Sequence, residues 1–109
     1  MGKGRRRRPM FLGKKLRAIR EKLGLSQNGM LRHLVLEDEF TQAELSAYER
    51  GVREPPLHVI LSYSRAARVW VNVLIDDELE LPERLSAGRM HEGVRRAGSK
   101  TSPKHGAGL

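Results

Sequence analysis

Apolar residues return at helical intervals along most of the chain. Leu12, Leu16, Ile19 and Leu23 fall at i, i+4, i+7 and i+11, with Lys14, Lys15, Arg17, Arg20 and Lys22 between them, which predicts an amphipathic first helix. Gly24 suits the left-handed C′ position that ends it. Ser26 is a good N-cap for a second helix that turns Met30, Leu31 and Leu34 inward and leaves Gln27 exposed in its first turn. Gly29 weakens this helix by up to about 1 kcal/mol relative to alanine. Thr41-Gln42-Ala43-Glu44 has the form of a capping box, and Gly51 closes the third helix that it opens. Leu45 and Tyr48 face inward there, while Gln42, Ala43, Ser46 and Ala47 occupy other faces and make a small, polar surface that another surface can approach closely. Pro55 and Pro56 start a fourth helix, with Leu57, Ile60, Leu61, Ser64 and Ala67 as its buried side. Val69 to Ile75 predicts a short fifth helix that sends Val71, Leu74 and Ile75 to the core. A strand is the rival for this β-branched stretch, but a lone strand has no partner elsewhere in the chain. The expected fold is therefore all-α, a compact five-helix domain.

Length and composition narrow the picture. A chain of 109 residues fits one small domain with tails, and with 39% hydrophobic but only 5% aromatic residues the core must be aliphatic. No cysteine is present, which excludes disulfides, thiol nucleophiles and zinc–thiolate sites and points to a reduced, cytoplasmic setting. No apolar run approaches the roughly 20 residues that cross a bilayer, and no signal-peptide apolar region follows the basic start, so no membrane role is expected. The net charge of +8 is unevenly placed. Residues 1–9 carry five basic and no acidic residues, residues 86–109 carry five basic residues against Glu92, and residues 10–85 are nearly neutral. This predicts a disordered basic arm (1–9), a folded domain (10–85) and a disordered basic tail (86–109). Within the domain, bases crowd the first helix and acids crowd residues 76–83, a gradient able to orient it on a polyanion.

The ordered set Gly24-Leu25-Ser26-Gln27, Thr41-x3-Leu45-Ser46-x2-Glu49-x-Gly51 and Arg53-x-Pro55-Pro56-Leu57 resembles the Cro/CI-type helix-turn-helix family of lambda-repressor-like, xenobiotic-response-element-type DNA-binding domains over about residues 11–81. The resemblance implies a lambda-repressor-like fold that places a recognition helix, here about residues 42–50, in the major groove of double-stranded DNA. By position, Gln27 resembles the phosphate-contacting glutamine of the second helix. Gln42 resembles the base-reading one, whose amide can bond adenine N6 and N7 together. Thr41 and Ser46 lie on the same surface, and Ala43 and Ala47 match the other reading positions, where a methyl group offers only thymine contact. Arg50 and Arg53 look like backbone clamps, Glu44 like a cap rather than a reader, and Glu49 like one half of a structural ion pair. One departure stands out: 14 positions separate Gln27 from Thr41, against about ten in the family. The extra residues fall around Leu36-Glu37-Asp38-Glu39-Phe40, and Val35 replaces the usual turn glycine. Either the turn bulges outward or the second helix runs longer.

Outside this motif, Arg5, Arg6, Arg7 and Arg8 resemble arms that reach around DNA, or else act as a solvated basic tail that steepens salt dependence. Val69, Trp70 and Val73 are candidates for a homodimer patch. His33, His58, His91 and His105 are dispersed without ligand spacing and no phosphate loop is present, so neither enzymatic activity nor a metal or cofactor is expected. The expected function is sequence-specific transcriptional regulation, repression rather than activation because no activation module is evident. The alternative is an antitoxin-like or adaptor module that binds a protein partner through the acidic 76–83 segment, the 37–40 turn and Trp70.

Overall fold

A computed structural model describes residues 8–97 and contains the five expected helices in order: α1 (Leu12–Lys22), α2 (Gln27–His33), α3 (Gln42–Glu49), α4 (Leu57–Ala67) and α5 (Val71–Ile75). Leu12, Leu16 and Ile19 of α1 meet Met30 and Leu31 of α2, Leu45 and Tyr48 of α3, and the inner faces of α4 and α5 in one core. Helices α1, α2 and α3 end in the same way. The C″ amide returns to the carbonyl five residues back and the C′ amide to the one three back: Leu25 to Arg20, Leu36 to Leu31, and Val52 to Ala47 in the first case. Gly24 and Gly51 supply the left-handed C′ residue at two of these ends, whereas Val35 does so at the third with φ of 58°. A β-branched residue in that region costs about 1–2 kcal/mol, and the Val35 side chain is exposed, so little packing offsets the cost. Val35→Gly should therefore raise stability by about 1 kcal/mol, read as a higher urea midpoint with an unchanged slope.

The faces of α4 and α5 differ from expectation. Leu57 and Leu61 are 83% and 37% exposed, while Val59 and Tyr63 are fully buried beside Ile60, Ser64 and Ala67. Both flanks of the Ile60–Ser64–Ala67 line are apolar, so helical period does not choose between them. Packing of α4 against α1 and α5 selects the flank that inserts the Tyr63 ring. In α5, Val73 and Leu74 are buried, Val71 is half-buried and Ile75 is largely exposed.

The segment expected to begin a disordered tail is also different. As far as Ala97 it folds back on the helices, so the folded unit runs past residue 85 and the fold is mostly helical rather than purely so. Strand β1 (Leu79–Glu80) pairs antiparallel with β2 (Val94–Arg95), with Leu79 opposite Arg95 and Glu80 opposite Val94. Val69 bridges His91, whose amide donates to the Arg68 carbonyl and whose carbonyl accepts from the Trp70 amide. Gly93 makes this return possible: a Cβ there would stand 3.0 Å from both the Glu80 carbonyl oxygen and a Val73 methyl. Such a backbone approach leaves no trace in composition. Residues 98–109 of the expected tail, and Arg5, Arg6 and Arg7 of the expected arm, lie outside the described residues.

One core group is incompletely satisfied. The buried Tyr63 hydroxyl has no hydrogen-bond partner among the described residues, and burial pushes its pKa well above the ordinary value. In the unfolded chain Tyr63 ionises near pH 10, whereas in the fold it keeps its proton. Above that pH the folded state binds more protons than the unfolded one, so stability falls by up to about 1.4 kcal/mol per pH unit. Tyr63→Phe should leave stability at pH 7 unchanged or higher and flatten this alkaline decline, both read from urea unfolding across pH 7–11.

Candidate nucleic-acid interface

Two helix starts set the site. Ser26 Oγ accepts from the Gly29 amide at 2.9 Å, which makes Gln27 the first residue of α2. At α3 the capping box forms: Thr41 Oγ1 accepts from the Glu44 amide at 3.2 Å and Glu44 Oε1 from the Thr41 amide at 2.9 Å, so Gln42 opens the helix. The connection between them takes up the extra length, because α2 ends at His33. Leu36 is buried and its carbonyl accepts from the amides of Glu39 and Phe40. The Phe40 ring packs edge-on to Tyr48 at 6.0 Å and over His58 at 5.7 Å, and His58 Nε2 lies 2.8 Å from Glu39 Oε1. Anchored at both ends, the turn carries Glu37 and Asp38 out into solvent.

The bulge leaves the two glutamines side by side. Gln42 Nε2 donates to Gln27 Oε1 at 3.2 Å, and Gln27 Nε2 donates to Glu49 Oε1 at 3.2 Å. Glu49 in turn holds a two-pronged contact from Arg20, with Nε to Oε2 at 2.8 Å and Nη2 to Oε1 at 3.1 Å, while Arg20 Nη1 donates to the Leu25 carbonyl at 2.9 Å. This bonding holds the guanidinium pKa above its ordinary value. The order of donors has one solution. A carboxylate only accepts, so Gln27 must turn its NH2 to Glu49 and its oxygen to Gln42, and Gln42 must turn its NH2 to Gln27. Gln42 then keeps its oxygen and one N–H for a partner outside the protein.

Around this pair the surface is spare. Thr41 and Ala43 are exposed, and Ser46 and Ala47 are half-buried. Arg50 is exposed and its Nε donates to Ser46 Oγ at 3.1 Å. Arg53 is also exposed, and its Nη1 is 3.9 Å from Glu44 Oε2, a separation at which an exposed pair contributes little. Arg8 is exposed and lines one cleft with Gly51, Arg53 and Pro55. The expected dimer patch is corrected: Val69 and Val73 are fully buried core residues, and of the three only Trp70, at 54%, meets solvent.

The basic face expected on α1 is largely committed to the protein itself. Lys15 is buried, and its Nζ donates to the carbonyls of Val73 at 2.7 Å and Asp76 at 3.0 Å, holding the end of α5 against α1. Burial lowers its pKa, opposed first by Asp77. Arg20 is spent on Glu49, Lys22 donates to the Glu83 carbonyl at 2.7 Å, and Arg17 pairs with Glu21. The signal for Lys15 was in the pattern: it stands three residues after Leu12 and four before Ile19, on the inner stripe. Among the described residues no three His, Asp or Glu side chains converge as a metal site, and no helix is long and apolar enough to cross a membrane. Compared with protein-family models, curated proteins and solved structures, the chain matches none of them.

Proposed function

We propose that the protein is a DNA-binding transcriptional regulator of the lambda-repressor-like type that lays α3 in the major groove and reads one base edge with Gln42. The observation that carries this reading is the chain Arg20–Glu49–Gln27–Gln42, which leaves on Gln42 one acceptor and one donor side by side. That pair complements adenine, whose N6 donates and N7 accepts. Gln27 retains one N–H for a phosphate at the helix start, and Arg50 and Arg53 follow the backbone on the other side of α3. Ala43 and Ala47 add methyl contacts to thymine, so direct readout is sparse. Repression follows as the simplest mode, since occupancy of a site needs no further module. In this reading a second copy docks through Trp70 and Ile75, both exposed, and the pair of α3 helices reads an inverted repeat.

Selection of bound sites from random duplexes tests the reading. Gln42→Ala should lower affinity for the selected site by about 1–3 kcal/mol with little change on random DNA, whereas Arg53→Ala should weaken both alike. Equal losses on specific and random DNA in both variants would remove the reading role. A protein-interaction module is the second reading, favoured by Leu57 standing 83% exposed on α4 and by the outward Glu37 and Asp38. A stoichiometric partner that co-purifies, together with no salt-sensitive DNA binding, would decide for it.

A further inference from the structure

The return of residues 77–96 raises a second wall beside α1. Phe11, Lys14, Lys15 and Ala18 stand at i, i+3, i+4 and i+7, one stripe of the helix, and with Glu80, Leu81 and Arg96 opposite they line an open groove of about 280 Å³. The Phe11 ring, Ala18, Leu81 and the lysine stems make its surface mostly apolar. Three cations face one carboxylate there, and two of the three are bound inward. Lys15 Nζ is held by the carbonyls of Val73 and Asp76. Arg96 lies 4.1 Å from the centre of the Phe11 ring and donates from Nε to the Asp77 carbonyl at 2.8 Å and from Nη1 to Glu80 Oε2 at 3.0 Å. Glu80 is thereby neutralised within the wall. Lys14 is exposed, 6.0 Å from the centre of the same ring, and has no carboxylate partner among the described residues.

We infer that this groove binds a small aromatic carboxylic acid, with the ring system against Phe11, Ala18 and Leu81 and the carboxylate at Lys14. Charge complementarity selects this class of ligand. An apolar cleft whose uncommitted charge is an ammonium fits an apolar body that carries a single negative group. Arg96 Nη2 also has no acceptor among the described residues and can donate to the same carboxylate. An aromatic body is favoured over a saturated one because a ring that enters between Lys14 and Arg96 meets two cations. The volume lies near the lower end of small-molecule sites, enough for a bicyclic ring system but not for a nucleotide or a peptide. The two walls are already joined: Asp77 accepts from the Met10 amide at 2.9 Å and the Phe11 amide at 3.2 Å, so the groove needs no closure before it binds. It shares no residue with the Gln27–Gln42 surface, and the inference does not depend on the DNA-binding reading.

The test titrates the full chain with 2-naphthoate, read by calorimetry and by the amide shifts of Ala18 and Leu81. Binding should saturate at one molecule per chain and move both amides. The uncharged 2-naphthamide should bind about tenfold more weakly, the size of one charge-assisted hydrogen bond, and the decahydro acid about threefold more weakly than the aromatic one. Lys14→Gln should lower naphthoate affinity about tenfold and leave that of the amide unchanged, a split that a general disturbance of the fold does not produce. Ala18→Leu fills the groove and should abolish binding of both probes. Lys14→Gln, at an exposed position, keeps the test readable if Ala18→Leu alters folding. The inference is overturned by absence of saturable binding at millimolar naphthoate, by equal binding of acid and amide or of aromatic and saturated acid, or by wild-type affinity in Lys14→Gln. Binding that survives in folded Ala18→Leu protein places the acid on the basic residues outside the groove and overturns it as well.

Discussion

Glu49→Ala is expected to destabilise the protein by about 3–5 kcal/mol, because it strands the Arg20 guanidinium in a site built around a carboxylate. The Glu49 side chain is only 3% exposed and that of Arg20 14%, so neither charge can turn to water for compensation. Arg20 would keep its bond to the Leu25 carbonyl but lose both prongs to Glu49, and Gln27 would lose its acceptor. Urea unfolding checks the magnitude. The double variant Arg20→Met with Glu49→Leu should recover most of the loss, since apolar residues of similar volume commonly replace a buried pair without penalty. Glu49→Gln separates stability from orientation. It keeps an oxygen for Arg20 and should cost less than the alanine, yet its NH2 can now face Gln27, which lets both glutamine amides reverse. In the proposed function that variant relaxes the preference for adenine at the Gln42 position while random-sequence affinity holds. Retained selectivity in Glu49→Gln would show that the buried carboxylate does not set the amide order.

What the sequence made legible follows from how local each determinant is. The capping box at Thr41 and Glu44, the Ser26 cap and the two glycine C′ residues are decided within one helical turn, and all of them form as the residue types require. Phase on α4 is decided by its neighbours. Leu57 and Val59 are both apolar, and only packing against α1 and α5 makes Val59 a core residue and leaves Leu57 in water. Lys15 illustrates a different limit: its place on the inner stripe is in the pattern, but the two carbonyls at the end of α5 that receive its ammonium are not. The return of residues 91–96 was illegible because two-residue strands have no period, and because Gly93 and Arg96 look like tail composition until the Val73 and Phe11 side chains are placed beneath them.

The candidate site shows the same division. Gln27 and Gln42 could be singled out from their places after two N-caps, but the lengthened connection left two courses open for the chain between them. Their contact depends on Leu36 and Phe40 packing inward so that Glu37 and Asp38 bulge away, a non-local event. Glu49 was expected to pair, and it does so with Arg20. Its hold on Gln27 links an internal ion pair to the exposed end of α3, and spacing alone gives no sign of it.

Gly13→Ala should be the second most damaging single change, at about 3 kcal/mol, although it adds one methyl group to a helix and raises intrinsic helix propensity. A Cβ at residue 13 would stand 2.7 Å from the Glu49 carbonyl oxygen, 2.8 Å from that of Tyr48 and 3.1 Å from the Gly51 amide nitrogen. All three obstacles are backbone, so no side chain can swing aside. The end of α3 or the start of α1 has to move. The first course strains the Tyr48 carbonyl, which accepts from the Gly51 amide, and the second pulls Leu12 from the core. Thermal or urea unfolding measures the cost, and Gly13→Ser should match it, because the clash lies at Cβ and not beyond. In the proposed function the clash also reaches the reading residue, because the backbone it strikes is that of Glu49, whose side chain orders Gln27 and through it Gln42, so surviving folded protein should lose discrimination at the Gln42 position as well as stability. A Gly13→Ala protein with wild-type stability would mean that α1 and α3 do not approach as closely as this packing requires.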